Sequence, residues 1–143
     1  MKVYTIGFTK TSAESFFFRI NKSGARNLID VRLNNVSQLS GFAKRDDLSF
    51  FAKSISNIGY KHITSLAPSQ EMLDRYKKDR GTWSRYENEF LDLMAKRKIE
   101  DIPKDEIDGA CLLCSEDKPH HCHRRLVAEY LQNAWGDLDI IHL

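Results

Sequence analysis

Five short apolar runs alternate with longer stretches of helical period from one end of the chain to the other, and this alternation limits the fold more than any other feature. "KVYTIG" reads as a buried strand and leads into "FTKTSAESFFFRINKSG", where Thr11 and Glu14 have capping-box spacing and Gly24 is placed to end a helix. "RNLIDVR" is a second strand. After a polar stretch, "DDLSFFAKSISNIG" carries Leu48, Phe51, Ala52, Ile55 and Ile58 at helical spacing. "YKHI" is a third strand, and two amphipathic helices follow it, with Met72, Leu73 and Tyr76 on one and Trp83, Tyr86, Phe90, Leu93 and Met94 on the other. "DGACLLCSE" then reads as a strand, "PHHCHRRLVAEYLQNAWG" as a helix whose first turn holds Pro119, and "LDIIHL" as a closing strand. Strand–helix alternation of this kind predicts a three-layer α/β fold of the Rossmann-like sort, a mainly parallel sheet of about five strands with helices on both faces.

At 143 residues the chain suits one domain spanning residues 1–143, with no linker and no internal repeat. A hydrophobic content of 41% with 29% charged residues fits a globular protein. The formal charge of +2 gives no strong overall field, so recognition of an anion has to be local. No apolar run reaches membrane-spanning length and the N-terminus lacks a signal-type apolar core, so a cytoplasmic protein with no membrane partner is expected. Three closely spaced cysteines form no disulfide framework, which also favours a reducing compartment.

In an open parallel sheet, ligands bind at the carboxyl ends of the strands. The rule selects Gly7, the Asp30 and Arg32 pair, the segment after His62, and "CLLCSEDKPHHCHRR" at 111–125, which holds all three cysteines and three of the five histidines. That last segment resembles a metal signature. Residues three apart on a strand, however, project to opposite faces, so Cys111 and Cys114 cannot share an ion, and no metal or other cofactor is expected from the C-x-x-C. No cysteine is followed six positions later by arginine, since those positions hold Asp117, His120 and Ala128, which excludes a phosphatase-type loop.

Cys122 and His123 fall near a helix start, where a thiolate or an anion is favoured; Cys122 is either a nucleophile or a packing residue beside Leu126 and Tyr130. Arg124 and Arg125 are badly placed for the helix dipole and need a carboxylate or phosphate partner, either Glu116 or Asp30 within the chain or a ligand. His123 has the chemistry of a general acid or base. Gly7 permits close backbone approach to a ligand, and His62 stands at a strand end. The aperiodic stretch from Arg32 to Arg45 includes Ser37, one of several uncharged hydrogen-bonding groups suited to a base or sugar edge. Trp83 and Trp135 read as helix faces packed on the sheet and not as stacking platforms.

With "TIGFT", "IDVR", "SQLSGFAKR", "GYKHITSLAP", "LLCSE" and "CHRRLVAEYL" in view, the chain resembles the family numbered 488 among the domains of unknown function. The likeness covers nearly the whole chain. The family's strand ends T-I-G-H-S and D-V-R, its Y-x-H strand and its C-x-E followed by C-H-R map onto Gly7, Asp30, Arg32, Tyr60, His62, Cys114, Glu116, Cys122, His123 and Arg124. Phe8 and Thr9 stand where the family often has His and Ser, and the proline often found after D-V-R is missing. The resemblance implies an intracellular, largely prokaryotic α/β protein and brings no activity with it.

The expectation is a protein that binds or processes a nucleotide or nucleic-acid fragment. Arg32 and Arg124, with Arg125, Gly7, Ser37 and His62 around them, would hold phosphate or another anion, and Glu116, Asp30 and His123 would supply acid–base groups. Two alternatives stay open, a thiol-dependent enzyme using Cys122 and a non-enzymatic interaction module whose ion pairs are structural, and zinc, to which the C-x-x-C and the following C-H offer four potential ligands, is a minor further reading.

Overall fold

The first apolar run forms the strand β1 (Lys2–Gly7) of a computed structural model that describes residues 1–36, 41–116 and 118–143. The other strands are β2 (Asn27–Asp30), β3 (Gly59–His62), β4 (Ala110–Cys114) and β5 (Asp139–His142). All pair in parallel, in the order β3-β2-β4-β1-β5. Among the described residues the helices are α1 (Ala13–Ser23), α2 (Arg45–Ser56), α3 (Gln70–Lys77), α4 (Trp83–Arg97), the single turn α5 (Lys104–Ile107) and α6 (His123–Trp135). The fold is the expected three-layer α/β sandwich.

Side chains alternate across a strand, so each strand feeds two cores. Cys111 and Leu113 of β4 join Ile6, Leu28, Phe16, Phe17 and Leu48 beneath α1 and α2. Ala110, Leu112 and Cys114 join Val3, Ile29, Phe90, Leu126 and Leu131 beneath α4 and α6. The central strand β4 is buried along its whole length, which accounts for its unbroken apolar run.

Two helix starts differ from the sequence expectation. The cap of α1 is Ser12 and not Thr11: Ser12 is extended (φ −81, ψ 158) and its Oγ accepts from the Ser15 amide at 3.1 Å. Gly24 ends that helix in the left-handed region at φ 76, as expected. The last helix begins not at Pro119 but at His123, with Cys122 as its N-cap. Pro119 belongs to a preceding turn in which its carbonyl accepts from the Cys122 amide at 3.2 Å. That turn brings Cys122 back over the end of β4.

Candidate functional site

Strand register sets Gly7 opposite Cys114, and Asp30 opposite both Leu113 and His62, so the residues singled out in the sequence share the carboxyl edge of the sheet. Their side chains divide between its two faces.

On the α1/α2 face, Asp30 is fully buried and its carboxylate accepts four hydrogen bonds. The Arg32 amide (3.0 Å) and Nε (2.8 Å) reach Oδ1, and Arg32 Nη2 (2.7 Å) and the Tyr60 hydroxyl (2.5 Å) reach Oδ2. Arg32 Nη2 also donates to the Ala43 carbonyl at 2.8 Å, and the guanidinium carbon lies 5.1 Å from the centre of the Phe8 ring. Arg32 Nη1 has no acceptor among the described residues. Asn35 donates to the Tyr60 hydroxyl at 3.1 Å and completes the chain. Burial and the hydrogen bond to Asp30 together hold the Tyr60 phenol well above its usual range. His62 Nε2 is 2.6 Å from the Arg32 carbonyl and steadies the backbone leaving β2. Arg32 is 2% exposed, with Nε and Nη2 matched by Asp30, and it forms part of the wall of the pocket described below.

At the β1–β4 seam, Arg124 is 0% exposed. Its Nε donates to the Thr5 hydroxyl at 3.4 Å and Nη1 donates to the main-chain carbonyl of Glu116. Glu116 is therefore a partner of Arg124, as considered from the sequence, but through its backbone; its carboxylate points outward, 3.9 Å from Lys77. Gly7 fits the same arrangement. A Cβ there would collide with the Glu116 carbonyl and lie 2.9 Å from Arg124 Nη1, so the close approach Gly7 permits is made by the protein's own backbone. Arg125 faces α4 instead, 3.6 Å from Glu87. Ser37 lies outside the described residues.

On the α4/α6 face, Cys114, Cys122 and His123 converge. One ligand-type atom from each lies within 4.8 Å of the other two, and all three residues are buried. His123 Nε2 is 2.6 Å from the Val31 carbonyl, a contact that requires a proton on Nε2. Burial holds the imidazole below its ordinary pKa, so the ring is neutral, and Cys114 Sγ lies beside it, 3.4 Å from the bare Nδ1 and 3.6 Å from Nε2. Burial pushes the Cys114 thiol up, but hydrogen bonds from Cys122 and the Ser115 amide and the charge of Arg124 outweigh it, and the net direction is down. Cys122, buried and donating to Cys114, goes the other way. Cys111, on the far face, is pushed up to about 12 by burial and is chemically inert.

The three residues lie on the wall of a pocket of about 190 Å³. Tyr76, Trp83, Tyr86 and His121 supply its aromatic surface, and Glu116 and Lys77 are among its polar groups. The aromatic rings support one another: Trp83 stacks on His121 (4.9 Å, 17°), Tyr76 lies 4.9 Å from Tyr86, and Phe90 meets His123 edge-on at 5.6 Å. Trp83, read from the sequence as plain packing, is thus a pocket residue. The spacing of Tyr76, Trp83 and Tyr86 across two consecutive helices was the available signal. Cys114 had entered only as a family position, and the strand argument that parted it from Cys111 leaves it free to meet residues from α6.

These features define a parallel α/β protein with a sulfur- and imidazole-bearing pocket at the carboxyl edge of its sheet. The chain belongs to the family described as "Domain of unknown function DUF488", which it matches over residues 12–131. No curated protein and no solved structure matches it. No helix among the described residues is long and apolar enough to cross a membrane.

Proposed function

We propose that the protein binds a small planar molecule of the nucleobase or nucleoside class in the α4/α6-side pocket and acts on it with the groups in the pocket wall. The observation that carries this reading is the joining, in one pocket, of an aromatic surface (Tyr76, Trp83, Tyr86, His121) with the buried Cys114–Cys122–His123 cluster. Ligand pockets are apolar surfaces with a few convergent polar groups, and this one meets that description. Its 190 Å³ is below the roughly 300–1,000 Å³ that drug-sized ligands occupy, which favours a single ring system over a dinucleotide. Recognition then runs through the base. Of the two arginines expected to grip phosphate, Arg124 is sealed inside the protein, whereas Arg32 is part of the wall of this pocket with its Nε and Nη2 already committed to Asp30.

The test is thermal denaturation with a panel of bases, nucleosides, nucleotides and short oligonucleotides. A ligand at about 100 times its Kd stabilises by about 2.7 kcal/mol, a readily measured shift. Trp83→Ala should abolish the shift and Trp83→Phe should keep part of it. No shift for any member, or one unchanged in Trp83→Ala, rejects the reading. If only oligonucleotides respond, and with strong salt dependence, a nucleic-acid surface replaces the small-molecule pocket.

A second reading is thiol chemistry, and the geometry moves it from Cys122 to Cys114. Cys114 lies against the neutral imidazole and has the lowered pKa, whereas the pKa of Cys122 is raised. Iodoacetamide should label Cys114 first in metal-free protein; labelling of Cys122 ahead of it would refute that assignment.

A further inference from the structure

We propose that Cys114, Cys122 and His123 form a binding site for a soft divalent cation of the zinc class, with its fourth coordination position open to the pocket. The inference deepens the pocket reading by supplying a reactive centre there, but it stands on its own geometry.

Metal–ligand bonds of about 2.3 Å to sulfur and 2.0–2.1 Å to nitrogen, arranged tetrahedrally, place two sulfurs about 3.8 Å apart and a sulfur and nitrogen about 3.6 Å apart. Cys114 Sγ and His123 Nδ1 are 3.4 Å apart, and all three ligand atoms lie within 4.8 Å of one another. An ion is therefore within reach of all three side chains once the Cys114 thiol and the His123 ring turn toward one another, since Sγ now lies almost equally far from Nδ1 and Nε2. The His123 tautomer is already correct. Its Nε2 proton is committed to the Val31 carbonyl at 2.6 Å, the outer-shell contact that fixes ring orientation in histidine-ligated metal sites. A hydrogen bond from the Ser115 amide to Cys114 supports the sulfur as a thiolate. Two thiolates and a neutral imidazole cancel a divalent charge, so a buried complex carries no net charge to desolvate. The S₂N donor set selects zinc-like ions over magnesium or calcium, which require oxygen.

The argument that excluded the C-x-x-C does not apply here. Cys111 and Cys114 do face opposite ways, but the site takes one cysteine from β4 and completes itself with the cap and first residue of α6. A metal held by three side chains, all of them in a pocket wall, has the pattern of a catalytic site, whose fourth position takes water or a ligand atom; a structural site is closed by four protein ligands. A water in that position would have its pKa drawn down to about 7.

The test is titration of chelator-treated, fully reduced full-length protein with cobalt(II), without any organic ligand. One equivalent should bind per chain, with thiolate-to-cobalt charge-transfer absorption in the near ultraviolet and the intense visible bands of tetrahedral cobalt; zinc should then displace it. Cys122→Ser should weaken binding by more than the roughly 10- to 100-fold that loss of an outer-shell partner costs, while Cys111→Ser should leave it unchanged. Circular dichroism of the metal-free variants confirms folding, and His123→Gln serves as a second ligand variant should Cys122→Ser fail to fold. Cobalt binding without thiolate absorption, as at the surface pair His120 and His121, overturns the proposal. So does a spectrum that survives both variants, or the absence of binding at excess metal. Failure here leaves base binding through Trp83 intact, and failure of the nucleoside panel leaves the metal titration intact.

Discussion

The two faces of the sheet carry polar clusters of similar size at the same edge, yet the carboxylate of one is saturated from within the chain while the other lies in the wall of a pocket. Around Asp30 every carboxylate lone pair is used, and the matching cation, phenol and amide come from within the chain. Around Cys114 the contacts between the three groups are weak sulfur contacts, His123 being anchored by its bond to the Val31 carbonyl, and all three lie on a pocket wall. A saturated ion pair is a poor place for a ligand, because any newcomer must displace a partner whose loss leaves a buried charge. A thiol–imidazole cluster has no formal charge to leave stranded. The residues that look most reactive by charge are thus the ones most fully engaged within the chain, and the least charged cluster is the candidate for chemistry.

The largest expected effect breaks the closed side. Asp30→Ala leaves Arg32 buried without its counter-ion and should cost about 3–5 kcal/mol in urea denaturation. A loss under about 1 kcal/mol would show that the Arg32 charge is compensated without Asp30, and that this face is as free to bind an anion as the other. Next is the seam between the two sides. Gly7→Ala drives a methyl group into the Glu116 carbonyl, a backbone atom that cannot swing away, and should cost about 2–3 kcal/mol, at the upper end of overpacking penalties. If Gly7→Ala is neutral in stability but weakens ligand binding, the glycine serves a ligand and not the Arg124–Glu116 contact.

How far the sequence anticipated this division depends on the kind of signal each residue gives. The layers and the parallel sheet were legible because apolar periodicity is a property of whole segments, and the opposite facing of Cys111 and Cys114 followed from the pleat alone. Asp30 and Arg32 were recognised as a charged pair at a strand end, but a sequence does not say whether a buried pair is closed or open. That depended on Tyr60 from β3 and Ala43 from the segment before α2. The open cluster was hidden for a sharper reason. Its assembly rests on the turn from Pro119 to Cys122, which delays the start of α6 and folds Cys122 back over β4. Reading Pro119 as the first turn of the helix puts Cys122 inside the helix, where the structure has it as the cap of a helix that begins at His123. The Glu116 main-chain contact with Arg124 lay beyond reach altogether, because backbone carbonyls carry no residue signature.

A smaller effect sharpens the comparison within the closed side. Tyr60→Phe removes one of four donors to Asp30 and keeps the ring, so it should cost about 1.5 kcal/mol, as expected for a hydrogen bond to a charged acceptor. Asn35 loses an acceptor in the same variant, and combining Tyr60→Phe with Asn35→Ala tests whether the two act as one chain. A double-mutant coupling near zero would mean that Asn35 holds its loop and adds nothing to the Asp30 site.

The smallest expected effect lies on the open side, and it bears most directly on whether the two regions differ in kind. Cys122→Ala, in reduced and metal-free protein, deletes one sulfur from a position that is 3% exposed. Judged by burial alone, that sulfur is as much core as Asp30 or Arg124. Cavity costs of about 24 cal/mol per Å³ place the removal of one sulfur near 0.5 kcal/mol, and the adjoining pocket gives the site room to relax. Urea denaturation should therefore show a change of about 1 kcal/mol or less, several times smaller than for Asp30→Ala. A loss of 3 kcal/mol or more, on the scale of a broken buried pair, would mean that Cys114, Cys122 and His123 hold the sheet to α6 as firmly as Asp30 holds Arg32, and the contrast between a closed and an open face would have to be given up.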